Sequence, residues 1–131
     1  MSGFLNSLRV ELADESAGLW RLTQALHYQS DIAGRRVVVP KGFCTDFASV
    51  PRLPIIYLAT ADTAHAPAVV HDWLYTSGEV RRSAADRIFL EAMEAVGVPW
   101  LRRQAMYAAV RLMGGRHYRS DPPDPPLNAL K

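Results

Sequence analysis

The chain has 131 residues, of which 49% are hydrophobic and 21% charged, a balance typical of one globular domain with its own core. The formal net charge of +2 is too weak to indicate a nucleic-acid partner. A single cysteine, Cys44, excludes an internal disulfide framework. Because no apolar run approaches the roughly 20 residues of a membrane span and no signal peptide is recognisable, we expect no transmembrane segment and synthesis in the cytoplasm.

Apolar and polar side chains alternate over much of the first forty residues, the pattern of half-buried β-strands. Strands are expected around residues 8–12, 20–28 and 36–39, the second less regular than the others and the third ended by Pro40. Turn residues separate them, which predicts a small antiparallel sheet. Residues 40–60 are rich in proline and glycine and are predicted to be irregular, since Pro51 and Pro54 do not suit a central strand.

The remainder of the chain predicts three helices. The first is expected over residues 64–75, with Pro67 in its first turn and Gly78 as its C-terminal cap. The second is expected over residues 83–96, where Ser83 and Asp86 resemble a capping box. Its apolar stripe consists of Ala85, Ile88, Phe89, Ala92, Met93 and Val96.

The third helix is expected over residues 99–113, with Leu101, Ala105, Ala108 and Leu112 on one face. These elements predict an α+β fold in which a small N-terminal antiparallel sheet packs against about three C-terminal helices. We expect one domain over residues 1–118. Residues 119–131 contain four prolines between positions 121 and 126 and are predicted to form an extended tail.

An imidazole and two carboxylates fall on the first two predicted helices. His71 and Tyr75 are four residues apart and share a helix face, whereas Asp72 lies about 100° around from His71. Asp86 on the next helix is placed to bond the imidazole, because helices joined by a short loop usually pack antiparallel. A histidine oriented by a carboxylate is a suitable general base. These residues also have structural interpretations: His71 as a buried histidine bonded to a carbonyl, Asp72 as a surface carboxylate, and Asp86 as a helix cap.

A loop on the sheet side of the first helix offers oxygen ligands. The carbonyl of Gly42 and the carboxylate of Asp46 suit a hard cation, with Asp72 as its main carboxylate ligand. The alternative is that Thr45 and Asp46 only shape the loop through local hydrogen bonds. Cys44 admits a third interpretation, a cysteine-histidine peptidase or amidase that uses His71.

Four separated blocks of sequence resemble the DUF1353 family, a domain of unknown function found largely in tailed phages and prophages. The blocks begin at Val39-Pro40, at His71-Asp72, at Ala85-Asp86 and at Met106-Tyr107, and the last runs through Arg111 to Gly114. The resemblance covers roughly residues 8–118. It implies a phage-associated origin and brings no established activity.

The pattern His-Asp-x-x-Tyr followed by Ala-Asp-x-x-Phe is similar to the catalytic helices of phospholipase A2 enzymes. That similarity covers about twenty residues. It implies His71 as the base that activates water, Asp86 as its orienting carboxylate, Tyr75 as the support of Asp86, and Asp72 as a calcium ligand. This chain has only Gly42 where the calcium loop of those enzymes has several glycines.

These observations favour a phage or prophage accessory protein with a His-Asp site, a metal-assisted hydrolase of lipid ester or cell-envelope bonds. The alternative is a non-enzymatic virion protein, a tail or head-tail component, in which the same residues form a structural polar network and the proline-rich tail contacts a neighbouring subunit. Both interpretations imply other virion proteins as partners and the virion as a further location. A solvent-reachable pocket at His71 favours the enzyme, and a sealed network favours the structural protein.

Overall fold

The computed structural model describes residues 1–45 and 54–113, together with the side chains in these ranges except those of residues 54–64 and 113. It has an α+β architecture in which two small antiparallel sheets precede three helices. The strands are β1 (Gly3–Phe4), β2 (Val10–Asp14), β3 (Leu19–Leu22), β4 (Leu26–Ser30), β5 (Arg35–Val39) and β6 (Cys44–Thr45). The helices are α1 (Pro54–Ser77), α2 (Arg82–Ala95) and α3 (Trp100–Met113).

The predicted single sheet divides into two sheets of three strands, in the orders β1-β4-β5 and β2-β3-β6. The irregular second strand of the prediction is in fact two strands, β3 and β4, which belong to different sheets. In β4 the alternation of buried and half-buried residues turns Leu26, Tyr28 and Ser30 towards the interior. The pairing of β6 with β3 brings Thr45 opposite Trp20, and this pairing fixes the loop that approaches α1.

Helix α1 begins ten residues earlier than predicted, so the expectation of an irregular segment up to residue 60 is wrong from Pro54 onwards. Proline excludes a central strand, but it suits the first position of a helix, where its missing N–H has no intrahelical partner. Pro67 therefore lies in the helix interior and not in the first turn. Gly78 ends α1 as predicted: it has a φ of 66°, and its N–H donates to the carbonyl of Leu74 at 3.0 Å.

Helix α2 keeps its predicted apolar stripe but not its predicted cap. Ala85, Ile88, Phe89, Ala92 and Met93 are all buried. The N-cap residue is Arg81, which makes no side-chain capping bond, so the capping box is not formed. Asp86 points into the protein instead, because three donors from α1 and α3 meet it there.

Helix α3 packs with a different face from the one its sequence suggests. Met106, Ala109 and Val110 are buried against α2, whereas Leu101 and Leu112 of the predicted apolar face are 73% and 83% exposed. The periodicity detected the helix but not the face that packs. The main core joins both β4 and β5 to α1 and α2, and it lies directly beside the polar cluster described below. No described helix is long and apolar enough to cross a membrane.

The predicted proline-rich tail and the domain boundary at residue 118 lie outside the described residues, as does Asp46.

Candidate functional site

The carboxylate of Asp86 lies where the three helices meet. From α1, Nε2 of His71 lies 2.7 Å from Oδ1 of Asp86, and the Tyr75 hydroxyl donates to the same oxygen at 2.5 Å. From α3, Nη1 of Arg111 donates to Oδ2 at 2.7 Å. The contact between His71 and Asp86 confirms that these predicted residues come together. Their catalytic roles remain predictions.

The imidazole of His71 is held on both faces as well as at its edge. Its ring centroid lies 4.1 Å from that of Tyr75 and 4.8 Å from that of Phe89. His71, Tyr75 and Asp86 are each 0% exposed. Packing on two sides and a short bond at Nε2 leave the ring one orientation, a degree of order that a reacting group requires.

The second nitrogen of this ring has no hydrogen-bond partner. Nδ1 of His71 is buried, and no described residue lies within bonding distance of it. Because Nε2 faces a carboxylate, which only accepts, the ring proton belongs on Nε2 and the lone pair on Nδ1. A buried nitrogen without a partner costs free energy, so this atom is the part of the cluster that packing alone does not explain.

The pKa values in the cluster follow from burial and from its short bonds. Burial lowers the pKa of His71 below its ordinary value of 6.5, although the Asp86 carboxylate works against this shift. Burial alone would raise the pKa of Asp86, but bonds from His71, Tyr75 and Arg111 hold it below 3.8. Burial and the bond to Asp86 raise the pKa of Tyr75. At neutral pH the cluster therefore contains a neutral imidazole, a neutral phenol and a carboxylate paired with a guanidinium.

Two arginines of this region were not predicted as site residues. Arg111 binds Asp86 directly, and Nη2 of Arg82 donates to the carbonyls of Val110 and Arg111 at 2.8 and 2.7 Å. Arg111 stands in one of the blocks that resemble DUF1353, and this position is the only sequence signal that it belongs to the site. Helical periodicity does not indicate that an arginine between a buried and an exposed residue turns inward. Arg82 follows Arg81 in the sequence, and such a pair of arginines is ordinarily expected on the solvated surface.

Asp72 points away from His71, as its position on the helix predicts. Its Oδ2 accepts a 2.5 Å bond from Oγ1 of Thr45, a fully buried residue of β6. The Gly42 carbonyl accepts a weak bond from the Cys44 thiol at 3.6 Å. Cys44 is exposed and His71 is buried with its Nδ1 unbonded, so the described contacts do not pair them.

The described residues do not by themselves form a calcium site. They contain no group of three or more His, Cys, Asp or Glu side chains arranged to hold a metal ion. Ca²⁺ takes about six to eight oxygen ligands, and in this region only Asp72 offers a described carboxylate. The predicted ligand Asp46 lies outside the described residues.

The comparisons with known proteins agree with one of the two resemblances. The family model described as "Protein of unknown function (DUF1353)" matches residues 20–110, a span that includes His71, Tyr75 and Asp86 and ends one residue before Arg111. No curated protein and no solved structure matches the chain. The similarity to phospholipase A2 helices thus receives no support from these comparisons. Since the matched span is more than half of the chain, the protein belongs to the DUF1353 family.

Proposed function

We propose that this protein is a hydrolase in which Nδ1 of His71 is the general base. One observation carries the proposal: Asp86 binds Nε2, while Nδ1 has no partner among the described residues. A neutral imidazole with a fixed tautomer and an available lone pair is what proton abstraction from water requires. The low pKa of His71, caused by burial, keeps the ring neutral at physiological pH.

The chemistry that this geometry supports is attack of water on a carbonyl carbon. Nδ1 takes a proton from the water, whose oxygen then bonds to the carbonyl carbon of an ester or amide. The resulting imidazolium returns its proton to the leaving oxygen or nitrogen as the old bond breaks. Asp86 stabilises the imidazolium through Nε2, while Tyr75 and Arg111 hold Asp86. The substrate class proposed from the sequence is a lipid ester or a cell-envelope bond met by a phage-borne enzyme.

Variants of His71 test this activity directly. The intact protein is assayed on phospholipid vesicles, soluble carboxylic esters and purified peptidoglycan, together with His71→Asn and the control His65→Asn. His65 lies on the same helix but is exposed. We expect hydrolysis that His71→Asn lowers by at least about a hundredfold and His65→Asn leaves unchanged, the size typical of a lost general base. Equal activity in all three proteins would reject His71 as the base.

A second candidate is a non-enzymatic virion protein in which the cluster is structural. Its supporting observation is that His71, Tyr75 and Asp86 are completely buried while they join α1, α2 and α3. In this interpretation the hydrogen bonds of the network stabilise the helical part of the fold. The protein's function would then lie in its contacts with neighbouring subunits.

Chemical access to Nδ1 separates the two candidates without knowledge of the substrate. Diethyl pyrocarbonate acylates neutral imidazole nitrogens, and mass spectrometry locates the adduct. The hydrolase requires that water-sized and larger molecules reach Nδ1, so we expect His71 to react in the folded protein, more slowly than exposed His65. Complete protection of His71 on the timescale of global unfolding, while His65 reacts, favours the structural protein.

A further inference from the structure

We propose that Arg111 is a positioning residue of this site: its guanidinium keeps Asp86 ionised and thereby fixes the proton of His71 on Nε2. This inference rests on the proposed function for its catalytic meaning, but its physical content concerns only the cluster. Arg111 reaches the cluster from α3 and bonds Oδ2 of Asp86, the oxygen that neither His71 nor Tyr75 uses. Each carboxylate oxygen is thus held by a different element.

Arg111 is the permanent positive charge in contact with Asp86. The titratable or charged groups that face this carboxylate in the described structure are His71 and Tyr75 from α1 and Arg111 from α3, with Arg82 of α2 beside the Tyr75 hydroxyl. Tyr75 is a neutral phenol and His71 a neutral imidazole at physiological pH. A fully buried carboxylate with only neutral donors tends to take up a proton, because burial penalises its charged form.

Protonation of Asp86 would reverse the hydrogen bond to His71. A neutral carboxylic acid donates its O–H to Nε2, and the ring proton then moves to Nδ1. The lone pair that the proposed reaction needs would be lost without any change of backbone. A guanidinium beside Oδ2 opposes this exchange, because a neighbouring positive charge favours the ionised carboxylate.

The end of α3 is fixed so that Arg111 can reach Asp86. Nη2 of Arg82 donates to the carbonyls of Val110 and Arg111, which lie in the last described turn of α3. The backbone that carries Arg111 is therefore tied to the first residue of α2, four residues before Asp86. This second arginine acts on the position of the first and does not itself bond Asp86.

Nitrogen NMR of the imidazole tests the inference without any substrate. Protein labelled with ¹⁵N in histidine is compared at neutral pH with Arg111→Gln, Arg111→Met, Arg111→Lys and the control Arg87→Gln. Arg87 is exposed on α2, next in sequence to Asp86, and lies outside the cluster. His71→Asn assigns the resonances, and circular dichroism establishes that each variant is folded.

We expect the intact protein, Arg87→Gln and Arg111→Lys to show an unprotonated Nδ1 and a protonated Nε2. The neutral replacements Arg111→Gln and Arg111→Met should show a mostly protonated Nδ1. A folded neutral variant that keeps Nδ1 unprotonated overturns the inference. If neither neutral variant folds, Arg111→Lys is the deciding variant. It retains the positive charge, so a protonated Nδ1 in this variant also overturns the inference.

The same measurement separates failure of this inference from failure of the proposed function. A proton that moves to Nδ1 only when the charge is removed supports the role of Arg111, even if no substrate is ever hydrolysed. If activity is found, it should fall with Arg111→Gln and recover in Arg111→Lys. A merely structural arginine would lower stability in both variants and leave the protonation of Nδ1 unchanged.

Discussion

Helix α2 carries two carboxylates, Asp86 and Glu91, that each accept several hydrogen bonds, and the donors around them differ in charge. Glu91 accepts from the hydroxyls of Tyr28 and Ser30 at 2.9 and 2.8 Å, and from the backbone N–H groups of Asp31 and Ile32 at 3.1 and 3.0 Å. These four donors are neutral. The Glu91 network joins α2 to the turn between β4 and β5.

The Asp86 cluster has fewer donors but contains a cation and a titratable ring. Its carboxylate accepts from His71, Tyr75 and Arg111, and the far nitrogen of His71 has no described partner. The four hydrogen bonds of Glu91 account for a structural carboxylate. The unbonded Nδ1 at the other end of the Asp86 cluster has no counterpart among the described bonds of the Glu91 network. The proposed function rests on this difference between the two carboxylates.

The largest expected effect is the loss of the carboxylate at Asp86. In Asp86→Ala, the buried donors of His71 and Tyr75 and the charge of Arg111 lose their acceptor at once. We expect a decrease of about 3–5 kcal/mol in the free energy of unfolding, as for other buried charge pairs broken on one side. Urea unfolding followed by circular dichroism measures it. A decrease below about 1 kcal/mol would mean that water replaces the carboxylate freely and that the site is not sealed.

The substitution Glu91→Gln is the milder change, made in the other hydrogen-bond network of α2. In Glu91→Gln the side chain keeps its size and one oxygen acceptor but loses its charge and half of its accepting capacity. We expect a loss of about 1–3 kcal/mol, because the remaining donors lie partly at the surface and can turn to water. The same urea experiment applies. A loss equal to that of Asp86→Ala would remove the energetic distinction between the two networks.

The pH dependence of stability distinguishes the clusters by their titrating groups. Since burial lowers the pKa of folded His71 below 6.5, the unfolded chain binds a proton first as the pH falls. The contribution of His71 is thus complete above 6.5 and is lost as the pH falls from there towards the folded pKa, with a slope of at most about 1.4 kcal/mol per pH unit.

This slope is obtained from free energies of unfolding measured in steps of about half a pH unit, from pH 7.5 down to the lowest pH at which the protein is still folded. His71→Gln should lack this loss, whereas His65→Gln, altered at an exposed position of the same helix, should keep it. An identical slope in the intact protein and His71→Gln would show that the ring is not held neutral by its surroundings.

The smallest expected effect is that of a divalent cation. The sequence predicts that any bound cation uses Asp72 as its main carboxylate ligand, and this carboxylate now has Thr45 as a partner. Binding to the folded state alone would stabilise the protein by about 2.7 kcal/mol at a hundredfold excess over the dissociation constant. Melting temperatures are measured with calcium, magnesium, manganese and zinc. A rise that is absent in Asp72→Asn supports the prediction, and no rise with any ion contradicts it.

The sequence predicted those elements whose residues follow a regular period. The apolar stripe of α2 reappears as buried positions, because a helix that packs on one side leaves that pattern in the chain. The valine run predicted as a strand reappears in β5, where Val37 and Val39 are buried. Pro54 shows where such reasoning fails. The same residue that excludes a strand also begins a helix, and a choice between the two requires knowledge of the packing.

The candidate site was predictable only in part, for a related reason. Helical spacing indicated that His71 and Tyr75 share a face, and the short loop brought Asp86 towards them. Arg111 meets Asp86 through the packing of α3 on α2, and the apolar residues of α3 suggested a different packed face. Residues that join a site through the contact of two helices leave little periodic signal in either helix.

The spacing of the Asp86 contacts along the chain has a consequence for how the protein acquires them. Tyr75, His71 and Arg111 lie 11, 15 and 25 residues from Asp86. During synthesis from the N-terminus, the residues of α1 and α2 are therefore made before the arginine that completes the cluster. In a chain whose α3 has not docked, the Asp86 carboxylate lacks its guanidinium partner. The tautomer proposed for His71 therefore depends on the docking of α3 as well as on the pairing of α1 with α2.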